Sequence, residues 1–288
     1  MDGLAGYTSD QIKYLQSLKL FIGIPCFKTI NTAFHTSCME LQKLLISCSI
    51  VHEFVHWHGS LIPFVRNELA NYFVYHPGQH THYVSLDSDL IFTPDDIIRL
   101  LLHRQEFVGA QYPYKTLLNH KKPRAYEVSS LEPCMGYPIN PLSHSDPRKA
   151  DEFEKWNQQL VAVKTITTGF QVLARRVFER MMGYFDEMGD ARRYNSGTGH
   201  VHYDFFGNRP SGGGEYIHED MAFCDDYNAA GGTVYLDVGV GVGHEGMFTY
   251  EGLPLERLMR GEPLKDGWFT VDANWRPGYP DKEGSSSG

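Results

Sequence analysis

The chain is predicted to be an α/β protein, with a mostly parallel central sheet flanked by helices and a loop-rich region beside it. Three observations lead there. Before residue 110, short apolar runs alternate with longer segments of helical periodicity, the pattern of right-handed strand–helix–strand crossovers. With 42% hydrophobic and 21% charged residues over 288 positions, the composition is that of an ordinary globular chain long enough to bury a sizeable core. Finally, the β-rich segment Tyr83 to Leu86 ends in Asp87-Ser88-Asp89, two carboxylates at the strand edge where open α/β sheets hold ligands.

Taken in order, residues 1–18 form a polar lead-in with a short helix-like stretch from Gln11 to Leu18. Lys19 to Pro25 is a compact apolar strand that breaks at Pro25, and Cys26, Phe27 and Lys28 begin a loop. A helix follows from Thr32 to Ile46, with no Gly-x-Gly-x-x-Gly before it, which argues against a dinucleotide-type Rossmann site. Cys48 to Trp57 reads as a second strand. Ser60 to Tyr75 reads as a helix with Leu61, Ile62, Phe64, Val65, Leu69, Phe73 and Val74 along one stripe and Arg66 and Asn67 beside it. After the acidic tip, Thr93 caps a helix whose first turn holds Pro94, Asp95 and Asp96 and whose apolar face is Ile97, Ile98, Leu100, Leu101 and Leu102. Phe107 to Tyr112 is the next strand.

From 113 to 159 the periodicity disappears among prolines and charges, which suggests a loop that closes on a substrate; a surface insertion has the same composition. Gln171 to Met182 reads as a helix with Val172, Leu173, Val177, Phe178 and Met181 on one face. Residues 186–215, with Gly197, Gly199, Gly207 and Gly212-Gly213-Gly214, fit a mobile lid, and a disordered tether has the same composition. A helix from Met221 to about Ala230, a Gly231-Gly232 turn and a strand from Thr233 to Val238 lead into Gly243-His244-Glu245-Gly246. The expected domain is therefore 19–250, with substrate loops at 113–159 and 186–215, an extension at 251–282 carrying Trp268 and Trp275, and a flexible tail at 283–288.

Bulk features narrow the function. The five scattered cysteines contain no Cys-x-x-Cys, against a disulfide framework or a zinc ribbon. A net charge of -9 disfavours a protein that simply coats nucleic acid. No apolar run reaches membrane-spanning length and no basic leader precedes an apolar stretch, so a cytoplasmic location is expected, the host cytoplasm if the protein is viral.

The chemistry concentrates at three islands: Asp87/Asp89, Glu219/Asp220 and His244. Two carboxylates spaced i, i+2 offer hard oxygen ligands to Mg²⁺ or Mn²⁺, although a solvated turn has the same residues. His80/His82 and His200/His202 form two His-x-His pairs that could serve a second metal or stand as loop histidines.

The order of Asp87-Ser88-Asp89, the Gly169-Phe170 turn before Arg175-Arg176-Val177-Phe178, Glu219-Asp220 before Phe223-Cys224, and Gly243-His244-Glu245-Gly246 resembles that of GT-A fold glycosyltransferases. The spacing is similar to that of the short single-domain enzymes of phages and large viruses. The resemblance implies a Rossmann-like GT-A sheet and a nucleotide-sugar donor, a UDP-sugar above all. It implies a Mn²⁺ or Mg²⁺ site formed by Asp89 with Asp87 and His244, and donor contacts from Pro25, Phe27, Arg66, Asp87, Lys115 and Gly169. In inverting members Asp220 would be the base and Glu219 would hold the acceptor or the sugar; in retaining ones Asp220 would be an acceptor-binding or electrostatic group.

The acceptor is less defined. Lys115, His120, Lys121, Lys122, Arg124, Arg148, Lys149, Arg192 and Arg193 concentrate positive charge in the loops, which suits a DNA acceptor carrying a hydroxymethylated pyrimidine. A saccharide, lipid-linked or protein hydroxyl would use the same chemistry. Two other readings compete. His218, Asp220 and His244 spell a facial triad, with Arg257 as anchor, for a non-haem Fe(II)/2-oxoacid oxygenase; a sugar-nucleotide-binding module without turnover would share the acidic motifs.

Overall fold

The computed structural model describes residues 6–115, 137–138, 140–141, 159–189, 192–197, 199–246 and 249–250. Most of the 113–159 loop, with His120, Lys121, Lys122, Arg124, Arg148 and Lys149, and the extension with Arg257, Trp268 and Trp275 lie outside the described residues. The elements in chain order are α1 (Ser9–Gln16), β1 (Lys19–Cys26), α2 (Thr32–Ser47), β2 (Val51–His58), α3 (Ile62–Tyr75), β3 (His82–Leu86), β4 (Leu90–Ile91), α4 (Pro94–Leu102), β5 (Phe107–Gly109), β6 (Asn140–Pro141) and β7 (Leu160–Thr165). They continue with β8 (Phe170–Ala174), α5 (Arg175–Met188), β9 (Arg193–Asn195), β10 (Val201–Tyr203), β11 (Arg209–Pro210), β12 (Tyr216–Ile217), α6 (Glu219–Ala229), β13 (Val234–Asp237), β14 (Gly243–Glu245) and β15 (Thr249–Tyr250).

The central sheet has eight strands in the order β2-β1-β3-β8-β5-β13-β7-β6. It is mixed, which corrects the expectation of a mostly parallel, Rossmann-like sheet. The β2/β1, β1/β3 and β5/β13 pairs are parallel, whereas β3/β8, β8/β5, β13/β7 and β7/β6 are antiparallel. Two of the four antiparallel pairs are made by β7 and two by β8, whose residues the sequence pattern presents as part of a helix from Gln171 to Met182. Within β8, Leu173 lies beside Tyr83 and Phe107 on one face of the sheet, and Val172 beside Val84 and Val108 on the other. A strand buried on both faces shows no polar alternation, so Val172 and Leu173 merge with the apolar face of the helix that begins only at Arg175.

Helices cover both faces. On one side α3, α5 and α6 contribute Val65, Leu69, Phe178, Phe223 and Tyr227; on the other α1, α2 and α4 contribute Leu15, Phe34, Leu41, Ile97 and Leu101. Residues 201–207, within the glycine-rich stretch 186–215, are docked on this core. Asn71 donates to the Tyr203 carbonyl at 2.9 Å and accepts from the Tyr203 N–H at 2.8 Å. Asn67 accepts from the Phe206 N–H at 2.8 Å, and Phe206 stacks on Phe223 with ring centres 4.4 Å apart. Among the described residues no helix is long and apolar enough to cross a membrane.

Asp237 ties α4 to the end of β13. Fully buried, it accepts from Arg99 Nε at 2.6 Å, His103 Nε2 at 2.6 Å and the Gly239 N–H at 2.8 Å. Burial alone would raise its carboxyl, but His103 and Arg99 outweigh that and hold it below the usual carboxylate value. Asp237→Asn is expected to cost about 3 kcal/mol at neutral pH, because it leaves Arg99 and His103 without their charged partner. The depressed folded value means that this contribution is present above the unfolded value of about 4 and is lost as pH falls through the folded one. Urea denaturation of both proteins should show the difference shrinking in acid.

Candidate active site

The acidic tip after β3 is fixed by backbone bonds from three directions. The Asp87 N–H donates to the Gly169 carbonyl at 2.9 Å, the Asn31 N–H donates to Ser88 O at 3.1 Å, and the Glu245 N–H donates to Asp89 O at 2.8 Å. The last follows from β4 pairing antiparallel with β14, which sets His244 opposite Leu90. Three distant segments thus converge on residues 87–89.

Asp87 faces Arg66. Its Oδ1 lies 2.6 Å from Arg66 Nη2, and its Oδ2 accepts from the Tyr112 hydroxyl at 3.2 Å. Arg66, projected from α3, is only 4% exposed, and its Nε lies 4.0 Å from Glu219 Oε1 at the start of α6. Burial works against its charge, but Asp87 and Glu219 more than offset that and keep it protonated. Even so, Arg66 Nε and Nη1 have no hydrogen-bond partner among the described residues. A buried guanidinium with two unused N–H donors is suited to an oxyanion. Gly169 closes the rear of the site: a Cβ there would stand 2.2 Å from the Tyr112 hydroxyl and 2.3 Å from Asp87 Oδ2.

Asp89 faces elsewhere. Its Oδ2 accepts from Lys115 Nζ at 2.5 Å, and its buried Oδ1, with no hydrogen-bond partner among the described residues, lies 3.6 Å from His244 Nε2. The His244 ring is set by its other nitrogen, since Nδ1 lies 2.8 Å from the Pro113 carbonyl. A carbonyl only accepts, so Nδ1 carries the proton. In the neutral ring, therefore, the Nε2 lone pair faces a carboxylate oxygen with no hydrogen between them. Either a second proton on His244 or a cation between the two relieves this contact. Burial would raise the Asp89 carboxyl, but Lys115 and the protonated form of His244 act to hold it below the usual value.

Asp220 is shifted the other way. Burial and the neighbouring Glu219 raise its carboxyl, against the opposing pull of the Met221 N–H, Arg66 and His218. The Met221 N–H donates to its Oδ1 at 2.7 Å. The Tyr114 hydroxyl is likewise raised, by burial and by the charge of Asp220.

Of the residues singled out in the sequence, the structure brings together Asp89, His244 and Lys115, and separately Asp87, Arg66, Glu219 and Gly169. Asp87 contacts Arg66 and Tyr112, and the Tyr112 ring in turn lies against His244, with ring centres 4.8 Å apart. Pro25 is buried within β1 across from Trp57, while Phe27, just beyond the strand, is 54% exposed. Tyr112 and the Pro113 carbonyl were missed; that β5 leads to the same sheet edge was the available signal.

The His-x-His pairs do not act as pairs. His80 is buried, His82 donates to or accepts from Thr81 Oγ1 at 3.0 Å, His200 stacks on Tyr75 and His202 lies 3.4 Å from Glu68. Among the described residues, the group whose ligand atoms lie within 4.8 Å of one another is Glu53, His76 and His80, which could hold a divalent cation. His218, Asp220 and His244 do not form such a group, which removes the facial triad of the oxygenase reading.

No protein-family model matches the chain, and no curated protein matches it. Among solved structures it is similar to the crystal structure of A197 from STIV, at 10% identity over 80% of this chain and 86% of that one, with a TM-score of 0.41.

Gly169→Ala is expected to destabilise the protein by about 1–3 kcal/mol through overpacking against Tyr112 and Asp87. Adding Tyr112→Phe, which removes the nearest atom, should restore part of the loss in thermal denaturation; an additive double variant would show that the tyrosine hydroxyl is not the obstacle.

Proposed function

We propose that the protein is a divalent-cation-dependent glycosyltransferase that moves a sugar from a nucleotide-diphosphate sugar, a UDP-sugar in the first instance, to an acceptor hydroxyl, with Mn²⁺ or Mg²⁺ as cofactor. The observation that carries this reading is the buried Asp89 Oδ1 facing the Nε2 lone pair of His244 at 3.6 Å, with the His244 proton committed to Pro113. An imidazole that gives its far N–H to a backbone carbonyl and aims its lone pair at a carboxylate is oriented as a metal ligand. When bound there, the cation would neutralise the donor diphosphate and stabilise the leaving nucleoside diphosphate as a Lewis acid.

The remaining roles belong to the chain's own side chains. Arg66, held charged by Asp87 and Glu219, offers its free Nε and Nη1 to phosphate or ribose oxygens. Lys115, now on Asp89, can turn to a phosphate oxygen once Asp89 is otherwise engaged. Asp220, whose Oδ1 is held by the Met221 N–H, takes the proton of the acceptor hydroxyl as that oxygen attacks the anomeric carbon. Its raised pKa suits a base, since it increases proton affinity toward the operating range.

The described part of the basic loops does not favour a polyanionic acceptor. Arg192 is committed to Asp226 and Asp204, and Arg193 Nη1 lies 3.5 Å from Asp186. A saccharide hydroxyl is therefore the acceptor we place ahead of hydroxymethylated DNA.

Incubation with Mn²⁺ and a panel of labelled UDP-sugars, with oligosaccharides and hydroxymethylcytosine DNA as separate acceptors, should release UDP and label one acceptor. Asp89→Asn is expected to lower turnover by at least about 100-fold, in the range lost when a charge-stabilising group at the reacting centre is removed. Undiminished turnover in Asp89→Asn rejects the cation assignment, and binding of donor without UDP release in the native protein points to a non-catalytic module.

The rate should also fall in acid as Asp220 takes up a proton, with a midpoint above the ordinary carboxylate value of about 4. Glu219→Gln removes the like charge and should move that midpoint to lower pH in a kcat/KM profile.

A further inference from the structure

We propose that Glu53, His76 and His80 form a structural site for a zinc-class divalent ion at the end of the sheet opposite the acidic mouth. The two regions are distinct. β1, β2 and β3 run parallel; Asp87 follows β3, while His80 precedes it, and Glu53 sits near the start of β2 opposite Phe21. The length of β3 and its flanks puts the two sites on the order of 20 Å apart.

Two of the three ligand-to-ligand distances fit a tetrahedral ion, and all the ligand atoms lie within 4.8 Å of one another. Glu53 Oε2 lies 3.4 Å from His76 Nε2 and 3.3 Å from His80 Nε2. These distances exceed the roughly 2.7–2.9 Å of a charge-assisted hydrogen bond. They match the edge of a tetrahedron, roughly 3.3–3.4 Å for ligands about 2.0–2.1 Å from the metal. Nitrogen and carboxylate ligands of this kind suit Zn²⁺ or Co²⁺ better than Mg²⁺. The partial exposure of Glu53 and His76 leaves solvent access for a fourth ligand.

The ligands are held in place. His76 follows α3, and the turn His76-Pro77-Gly78-Gln79-His80 reverses the chain, with Gln79 at φ 47° and its N–H donating to the His76 carbonyl at 3.1 Å. This sets the two imidazole centres 4.7 Å apart. Gly78 lies against both rings: a Cβ there would stand 2.8 Å from His76 Nδ1 and 3.2 Å from His80 Cε1. Arg175 clamps the turn from behind, donating to the carbonyls of His80 at 2.7 Å, Val74 at 3.0 Å and Phe73 at 3.0 Å.

Ligation has one local cost. The Gly78 N–H now donates to His76 Nδ1 at 3.0 Å, so ligation through Nε2 moves the ring proton to Nδ1 and displaces that N–H. In return the ion would tie the edge strand β2 to the α3–β3 turn.

The test uses the metal-stripped full-length chain carrying Asp89→Asn and His244→Ala, so that the acidic mouth cannot contribute. Titration with Co²⁺ should give a visible d–d band of a four-coordinate ion at one equivalent, and Zn²⁺ should bleach it and raise Tm. Glu53→Gln and His76→Ala, both at partly exposed positions, should each remove the band and the Tm shift. No band in the starting protein, or a band that survives either substitution, overturns the proposal. The outcome does not depend on whether the protein transfers sugars.

Discussion

The constraint around which the mouth is arranged is the charge on Arg66. A guanidinium that is 4% exposed has given up most of its hydration, a loss of several kcal/mol unless anions replace the water. The replacements come from different parts of the chain: Asp87 after β3 at 2.6 Å and Glu219 at the start of α6 at 4.0 Å. Tyr112 then shares the second oxygen of Asp87. Satisfying one buried charge therefore fixes the relative positions of α3, the β3 tip, the β5 end and the α6 N-terminus. Compensation is incomplete, since among the described residues Nε and Nη1 have no hydrogen-bond acceptor, which leaves two donors of a buried charge unused.

The antiparallel strand β8 contributes to the same arrangement. In an all-parallel sheet the edge beyond β3 would receive only strand C-termini. Because β8 runs the other way between β3 and β5, it enters the sheet at that edge, and Gly169, just before it, meets Asp87. The lack of a Cβ at Gly169 is what lets the Tyr112 hydroxyl and Asp87 Oδ2 lie so close to the backbone. The mixed topology is thus part of how the site is built.

Much of this was legible from short-range patterns. The β3 tip and the cap of α4 are readable because their signals are local: Thr93 and Asp96 do exchange the expected contacts, with the Thr93 N–H donating to Asp96 at 2.8 Å. Arg66 and Asn67 stood out as polar residues beside an apolar stripe, and both prove to be buried. What could not be read depends on partners distant in sequence. β8 has the same apolar spacing as the helix after it, and the docking of 201–207 relies on Asn67 and Asn71, more than a hundred residues earlier. Arg192 and Arg193 looked like free positive charge because the acids that neutralise them were not adjacent. The histidine pattern misled for the same reason: His80 is coupled to His76 through a turn and to Glu53 through the sheet, not to its near neighbour His82.

The two histidine sites show how the backbone decides what an imidazole can do. His244 meets an acceptor, the Pro113 carbonyl, so its proton is drawn to Nδ1 and its Nε2 lone pair is presented to Asp89 without any rearrangement. His76 meets a donor, the Gly78 N–H, so its Nδ1 must be the lone pair and its proton sits on the nitrogen facing Glu53. The first ring is poised for a cation as it stands. The second must exchange its proton between nitrogens first, which makes binding there conditional on a small movement of a glycine turn. Ligand identity and spacing alone would rank the Glu53/His76/His80 group first, since it supplies three ligands to the other's two. Protonation is what separates them: at the Asp89/His244 pair no proton has to move before a cation could enter, whereas at the three-ligand group the His76 proton has to change nitrogens.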